Sequence, residues 1–332
     1  MLKKLTTAIA FAATVALLPA AALGADSGQA ATGTPLKISW ILSKATAQAD
    51  HRALDGFNAY IKENNLNWTV DVSDGKGSPA TAAELLEDAV QRGSSVIILS
   101  MVDMRASQAS LDDAKKAKVP VFTIDAGWTP GVVVDITSNN FAMGAIINAY
   151  MVDRLGGQGG VIAFKENSHH GVRKRGKEFD VVMGESPGIK VLADHQIDVT
   201  NFYADSKNAM EDFITRFGDE INGVFAGWDE PAMAAADAIK EAGLKNAFVV
   251  GIDGNTAAMK YIRDGSPLVA TVAQPFEKMG SQTGQYISDI VVDGKDPDTV
   301  IPVKQVYLPT CLITAQNVPP EGELPWKACD GK

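Results

Sequence analysis

The chain has 332 residues, 46% hydrophobic and 21% charged, a composition that fits a globular protein and neither a disordered nor a fibrous one. Forty acidic against thirty basic side chains leave a formal net charge of -10, which argues against nucleic acid or an anionic bilayer as partner, since both reward a basic face. Four histidines and two cysteines are too few for dense zinc or iron–sulfur sites, and neither a metal nor a cofactor is expected.

Lys3 and Lys4 precede a charge-free apolar run from Leu5 to Leu23 that ends in Ala22-Leu23-Gly24. This is the pattern of a secretory signal peptide over 1–24, cleaved after Gly24 or Ala25. Pro19 and the small-residue exit favour cleavage over a membrane anchor. No second long apolar run follows, so stable membrane insertion is not expected. Residues 25–35, rich in Gly, Ala, Ser and Thr, read as a flexible lead-in.

From Leu36 onward, short apolar β-branched runs alternate with segments of helical period, the pattern of parallel sheets flanked by helices. Strands are expected at Leu36–Leu42, Trp68–Ser73, Ser95–Ser100, Val119–Asp125 and Val132–Thr137. Helices lie between them at Asp50–Asn64, Pro79–Arg92 and Ser107–Lys118, the second with Ser78 as N-cap and Pro79 in its first turn. A second set follows, with strands at Gly160–Lys165, Lys190–Asp198, Gly223–Asp229, Ala247–Asp253 and Leu268–Gln274. Its helices fall near Phe141–Leu155, Val172–Gly184, Ser206–Gly218, Pro231–Ala242 and Asn255–Asp264. A last helix, Phe276–Val292, precedes an extended piece at Val306–Thr314. The tail holds Cys311 and Cys329, expected to pair in an oxidising compartment. That bridge is worth roughly 3 kcal/mol and would pin a segment in which Pro319, Pro320 and Pro325 allow no regular element.

Two similar α/β halves imply two lobes with a cleft between them, and ligands bind beyond the carboxyl ends of such strands. Those ends read Ser43, Ser100, Asp125 and Ser138-Asn139-Asn140 in the first half, and Glu166-Asn167, Asp229, Asp253 and Gln274 in the second. Trp128 and Trp228 stand beside them. Donors and acceptors set against flat aromatic faces suit an uncharged, polyhydroxylated ligand.

Other chemistries find no support. No phosphate-cradling Gly-x-x-x-x-Gly-Lys-Ser/Thr is present, and Gly156-Gly157-Gln158-Gly159-Gly160 lies after a helix, the wrong order for a dinucleotide site. His169-His170 lacks the partners of a metal site and reads as a loop pair. No Gly-x-Ser-x-Gly elbow occurs, and a glycosidase or isomerase built on paired aspartates is kept only as an alternative.

Three runs in order, Gly223-Val-Phe-Ala-Gly-Trp-Asp-Glu-Pro-Ala-Met-Ala-Ala-Ala-Asp-Ala-Ile, Val249-Val-Gly-Ile-Asp-Gly-Asn and Ala270-Thr-Val-Ala-Gln, resemble the periplasmic sugar-binding proteins of the ribose and galactose type. The likeness runs from Leu36 to about Leu312. It implies a type I periplasmic binding protein: two Rossmann-like lobes with parallel sheets, joined by a three-crossing hinge and closing on a sugar. It places 36–138 with 275–302 in one lobe and 139–274 with 303–330 in the other. It further implies a periplasmic monomer, no enzymatic activity, and delivery of ligand to an ABC transporter permease or, alternatively, to a chemoreceptor or sensor kinase.

Carried onto this chain, the likeness makes Asp125, Arg175, Asp253 and Gln274 ligand-binding positions, with Phe202 or Tyr203 as aromatic cover. Asn140, at a strand end, joins them. The chain also departs from the ribose pattern. Asp125 is followed by Ala126-Gly127-Trp128 rather than arginine, Trp228 precedes Asp229, and Ala49-Asp50 stand where an aromatic pair opens the first helix. Asp50, Trp128 and Trp228 are therefore candidate contacts for a ligand other than ribose: another pentose, a hexose, a linear polyol or a cyclitol.

Overall fold

A computed structural model describes residues 32–301 and 303–329. The expected leader, and the lead-in up to residue 31, lie outside the described residues. The first lobe is built from β1 (Thr32–Leu42), α1 (Gln48–Glu63), β2 (Leu66–Asp74), α2 (Pro79–Gln91), β3 (Val96–Ser100), α3 (Gln108–Lys116), β4 (Val121–Ile124) and β5 (Val132–Ser138). The second is built from α4 (Asn140–Leu155), β6 (Gly159–Lys165), α5 (His170–Gly184), β7 (Ile189–Gln196), α6 (Phe202–Phe217), β8 (Ile221–Ala226), α7 (Asp229–Ala242), β9 (Phe248–Asp253), α8 (Thr256–Arg263) and β10 (Leu268–Ala273). The chain then adds α9 (Phe276–Ile287), β11 (Gln305–Leu308) and β12 (Cys311–Thr314).

The strands form two six-stranded sheets, ordered β11-β5-β4-β3-β1-β2 and β12-β10-β9-β8-β6-β7. Every residue of β3 and β9 is buried. Central strands with no polar face need helices on both sides, and each sheet accordingly carries an apolar cluster on each face. The Ser78 hydroxyl accepts from Thr81 N at 3.2 Å and caps α2, and Asn139 caps α4 in the same way. Among the described residues no helix is long and apolar enough to cross a membrane.

Three crossings join the lobes: Asn139 between β5 and α4, Gln274-Pro275 between β10 and α9, and Pro309-Thr310 between β11 and β12. α9 packs back on α1 in the first lobe. A Cβ on Gly56 would overlap the Glu277 carbonyl, and one on Gly280 the Ala53 carbonyl, so glycine is what lets the two helix backbones touch.

Four expectations need correction. Thr32–Pro35 is not a flexible lead-in: β1 starts at Thr32, which pairs with Leu66, and a register shift before Leu36 accommodates Pro35, which has no N–H to donate. Residues 305–308 pair with β5 and so belong to the first lobe, not the second; the lobe change falls after Leu308. The second sheet is not wholly parallel. β11 runs toward the cleft, and the short crossing leaves β12 only the return direction, antiparallel to β10 with Cys311 opposite Ala273. In the tail, Pro325–Cys329 forms a short 3₁₀ turn, since proline at a first helical position is tolerated. The Cys329 side chain lies outside the described residues, and with it the expected bridge.

Candidate functional site

Because the strands of the first sheet are all parallel, and those of the second are too apart from β12, their carboxyl ends face each other across the gap between the lobes. A cavity of about 860 Å³, counted out to its mouth, lies there. Its first-lobe wall includes Ser43, Lys44, Ala49, Met101, Asp103 and Asp125, and its second-lobe wall includes Glu166, His169, Arg175, Phe202, Trp228, Glu230 and Asp253. Phe276, just past a crossing, closes the hinge side. Phe202 and Trp228 meet edge to face, with centroids 5.9 Å apart, and form an aromatic corner.

Arg175, in the second turn of α5, is the centre of the polar wall and is 2% exposed. Its Nε donates to Asn140 Oδ1 at 2.7 Å and its Nη1 to Gly227 O at 2.8 Å. It pairs with Asp125 of the first lobe at 3.6 Å and Asp253 of the second at 3.4 Å. Asp125 Oδ1 also accepts from Thr137 Oγ1 at 2.6 Å and Asn140 Nδ2 at 3.1 Å. Burial disfavours charge on Asp125, yet its neighbours, the Arg175 guanidinium and the Thr137 hydroxyl among them, outweigh it and hold the carboxyl below the usual range. Asp253 goes the other way: burial drives its pKa well up, Arg175 opposes this, and Asp229 and Glu230 reinforce it. One guanidinium thus faces one firmly ionised carboxylate and one group pushed toward its acid form, which can donate as well as accept.

The helix N-termini supply the rest. Glu166 accepts from the backbone N–H of His169 at 2.7 Å, and from Ser168, at the start of α5. His169 caps that helix, its Nδ1 accepting from Gly171 and Val172, while its Nε2 reaches Asp125 O at 2.6 Å. His170 is driven by burial and by His169 to a pKa of about 3, so it is neutral. Asp229 sits behind the wall, accepting from Asn255 N and Thr271 Oγ1, both at 2.7 Å. Burial raises its pKa to about 6, and that of Glu230 to about 7.

The structure therefore brings Asp125, Arg175, Phe202, Trp228 and Asp253 to one cavity. Asn140 and Gln274 stand immediately behind it: Gln274 Nε2 donates to Asp253 Oδ1 at 2.8 Å, as Asn140 does to Asp125. Two candidates do not reach the wall. Asp50 turns back into the first lobe, accepting from Ser43 N at 3.1 Å and Ser100 Oγ at 2.6 Å. Trp128 is exposed, its indole N–H donating to Val132 O at 2.9 Å. Sequence reasoning missed Lys44, His169, Glu230 and Phe276. Their available signal was position alone, one to four residues past a strand end or crossing.

Several bonds span the cleft. Lys44 Nζ donates to Val199 O at 3.2 Å and to Thr200 O, and lies 4.9 Å from the Phe202 ring centre. Gln48 N donates to Glu230 Oε1 at 3.0 Å. Arg52, from α1, reaches the carbonyls of Asp253 and Gln274, each at 2.9 Å. The lobes are closed on each other.

A family model described as periplasmic binding protein domain matches residues 38–296. The xylitol-binding protein of Mycolicibacterium smegmatis is 29% identical over 248 residues, 74% of this chain and 69% of that protein. The ribose import binding protein of Escherichia coli is 28% identical over 304 residues, 91% of this chain and 97% of that protein. Among solved structures, an ABC transporter solute-binding protein from Agrobacterium vitis with bound allitol superposes with a TM-score of 0.77 at 22% identity, over 86% of this chain and 97% of that one. At that identity the structural likeness shows a shared fold.

Proposed function

The chain belongs to the periplasmic binding protein domain family, and on that premise we propose that it binds a small, neutral, polyhydroxylated molecule between its lobes and delivers it to the permease of an ABC importer. The observation that carries this reading is the position of Arg175. It lies between a carboxylate of each lobe on the wall of one cavity, with the Phe202–Trp228 corner on the same wall. A vicinal diol can accept from the guanidinium and donate to Asp125 at once, and its C–H face can pack on an indole.

Ribose, xylitol, allitol, myo-inositol and D-allose appear in the names of relatives and structural neighbours, and all belong to this chemical class. Apart from Phe276 at the hinge, the aromatic cover comes from the second lobe, and the first-lobe lining includes Ala47, Ala49 and Ala82. One-sided cover favours a linear polyol over a pyranose ring held between two aromatic faces.

The ligand leaves unaltered, in keeping with membership of a binding-protein family. The leader is removed on export to the periplasm, where the protein acts as a monomer and Cys311 pairs with Cys329; among the described residues no cysteine is free. The test is a thermal-shift screen of these five compounds against the purified mature protein, followed by calorimetry on the best. A native-state ligand raises the melting temperature. No shift with any of them, or recovery of a converted product, would sink the proposal.

A further inference from the structure

The two aspartates on the cavity wall share a backbone peculiarity. Asp125 has φ +44° and Asp253 φ +133°, both in a region that L-residues other than glycine rarely occupy. Such conformations persist where the surroundings over-determine them. Here each is held by the opposite lobe. His169 of the second lobe donates from Nε2 to the carbonyl of Asp125 at 2.6 Å. Arg52 of the first lobe donates from Nη1 to the carbonyl of Asp253 at 2.9 Å.

Each donor is aimed from within its own lobe. The Nδ1 of His169 accepts from the first N–H groups of α5, which fixes the ring and leaves the proton on Nε2. Arg52 is gripped by Glu277 of α9, Nε to Oε1 at 2.7 Å and Nη2 to Oε2 at 3.1 Å. A separated pair of lobes keeps both donors in place and removes both from their carbonyls.

We infer that Arg52 and His169 are reciprocal positioning residues: each, on closure, fixes the backbone of the other lobe's ligand-binding aspartate. Grip on the ligand and closure of the lobes then become one event. Neither residue needs to touch the ligand for this. The inference goes beyond the binding function proposed above and rests on it.

The experiment compares wild type with Arg52→Lys and His169→Asn. Lysine keeps a cation beside Glu277 but cannot span that carboxylate and the Asp253 carbonyl together. Asparagine still caps α5 but is too short to reach Asp125. The probe is whichever of xylitol, ribose, allitol, D-allose and myo-inositol raises the wild-type melting temperature most. Stopped-flow tryptophan fluorescence reads association and dissociation; small-angle scattering reads contraction at saturation.

The expected result is an association rate within about threefold of wild type and faster dissociation, by roughly tenfold to hundredfold for Arg52→Lys, the range for a hydrogen bond from a charged donor, and by roughly twofold to tenfold for His169→Asn, the range for a neutral one. The ligand-free melting temperature stays at the wild-type value, which a merely structural role would not allow, and contraction at saturation is incomplete. Unchanged dissociation in both variants overturns the inference. So does a loss of affinity matched by a fall in the ligand-free melting temperature. If wild type itself neither binds nor contracts with any probe, the binding function falls, and the reciprocal latch with it.

Discussion

The backbone N–H of Gln48, the first residue of α1, donates to Glu230 Oε1 at 3.0 Å, so a carboxylate of the second lobe rests on a helix N-terminus of the first. The same carboxyl accepts from Asn255 Nδ2 at 3.3 Å and is raised by burial to about 7 from 4.5. Opening the cleft returns it to water and lowers its pKa again. The closed form therefore binds more protons than the open one between those values. Its advantage is full at the acid end and is lost as pH rises through 7. The expected outcome is a ligand dissociation constant roughly tenfold larger at pH 8 than at pH 5.5, by calorimetry, with net proton uptake on binding. Glu230→Gln should flatten most of that slope. Asp229, also raised, to about 6, is bonded within the second lobe to Asn255 and Thr271, so opening leaves its surroundings in place and it adds little to the slope.

Arg175 holds two buried carboxylates from two lobes, and removing it leaves both without a cation. Breaking a buried ion pair by deleting one partner costs about 3–5 kcal/mol. Arg175→Ala is therefore expected to weaken ligand binding at least ~100-fold by calorimetry and to lower the melting temperature. Arg175→Lys should fall between, because a single ammonium cannot serve Asn140, Gly227 and both aspartates in the fixed fork they occupy. Wild-type affinity in the alanine variant would remove Arg175 from the site.

Strand ends were legible because an apolar β-branched run stops where the sheet edge meets solvent, and this put Asp125 and Asp253 on the cavity wall. Arg175 was legible only through family likeness, since nothing in a basic stretch marks the one buried member. What could not be read depends on angles the sequence does not carry. Asp50 and Trp128 sit beside the right strand ends, but their side chains turn to Ser100 and Val132. Lys44, His169 and Glu230 reach the cavity through the direction of helix N-termini and the degree of closure. The lobe of β11 depends on which sheet edge is free to pair, and four residues of extended chain do not say.

Asp50 offers a clean separation of stability from binding. Burial raises its pKa to about 6, while bonds from Ser100, Ser43 and Lys44 pull it back. All of these partners belong to the first lobe. Asp50→Asn cannot accept as many donors and leaves at least one of them buried and unpaired, at about 1–3 kcal/mol. Chemical denaturation should show that loss, while ligand affinity stays within about threefold of wild type. A large loss of affinity with stability retained would put Asp50 back in the binding set.

The α1–α9 contact decides where Arg52 and Glu277 meet, and it can be tested at a single atom. Gly280 is inside a helix, where replacing glycine by alanine ordinarily stabilises by about 0.5–1 kcal/mol. Here the added methyl would overlap the Ala53 carbonyl and the Phe57 N–H region, which are backbone and cannot swing aside. Overpacking of this kind costs about 1–3 kcal/mol, so the clash wins and the net effect is destabilising. Gly184, at the end of α5, has open space around its Cβ position and serves as the opposite case. Gly280→Ala should lower the melting temperature and weaken ligand binding through the displaced Arg52–Glu277 pair, whereas Gly184→Ala should leave binding unchanged and raise the melting temperature slightly. If the two variants shifted stability in the same direction, the close approach of α1 and α9 would not be what fixes the first lobe's side of the hinge.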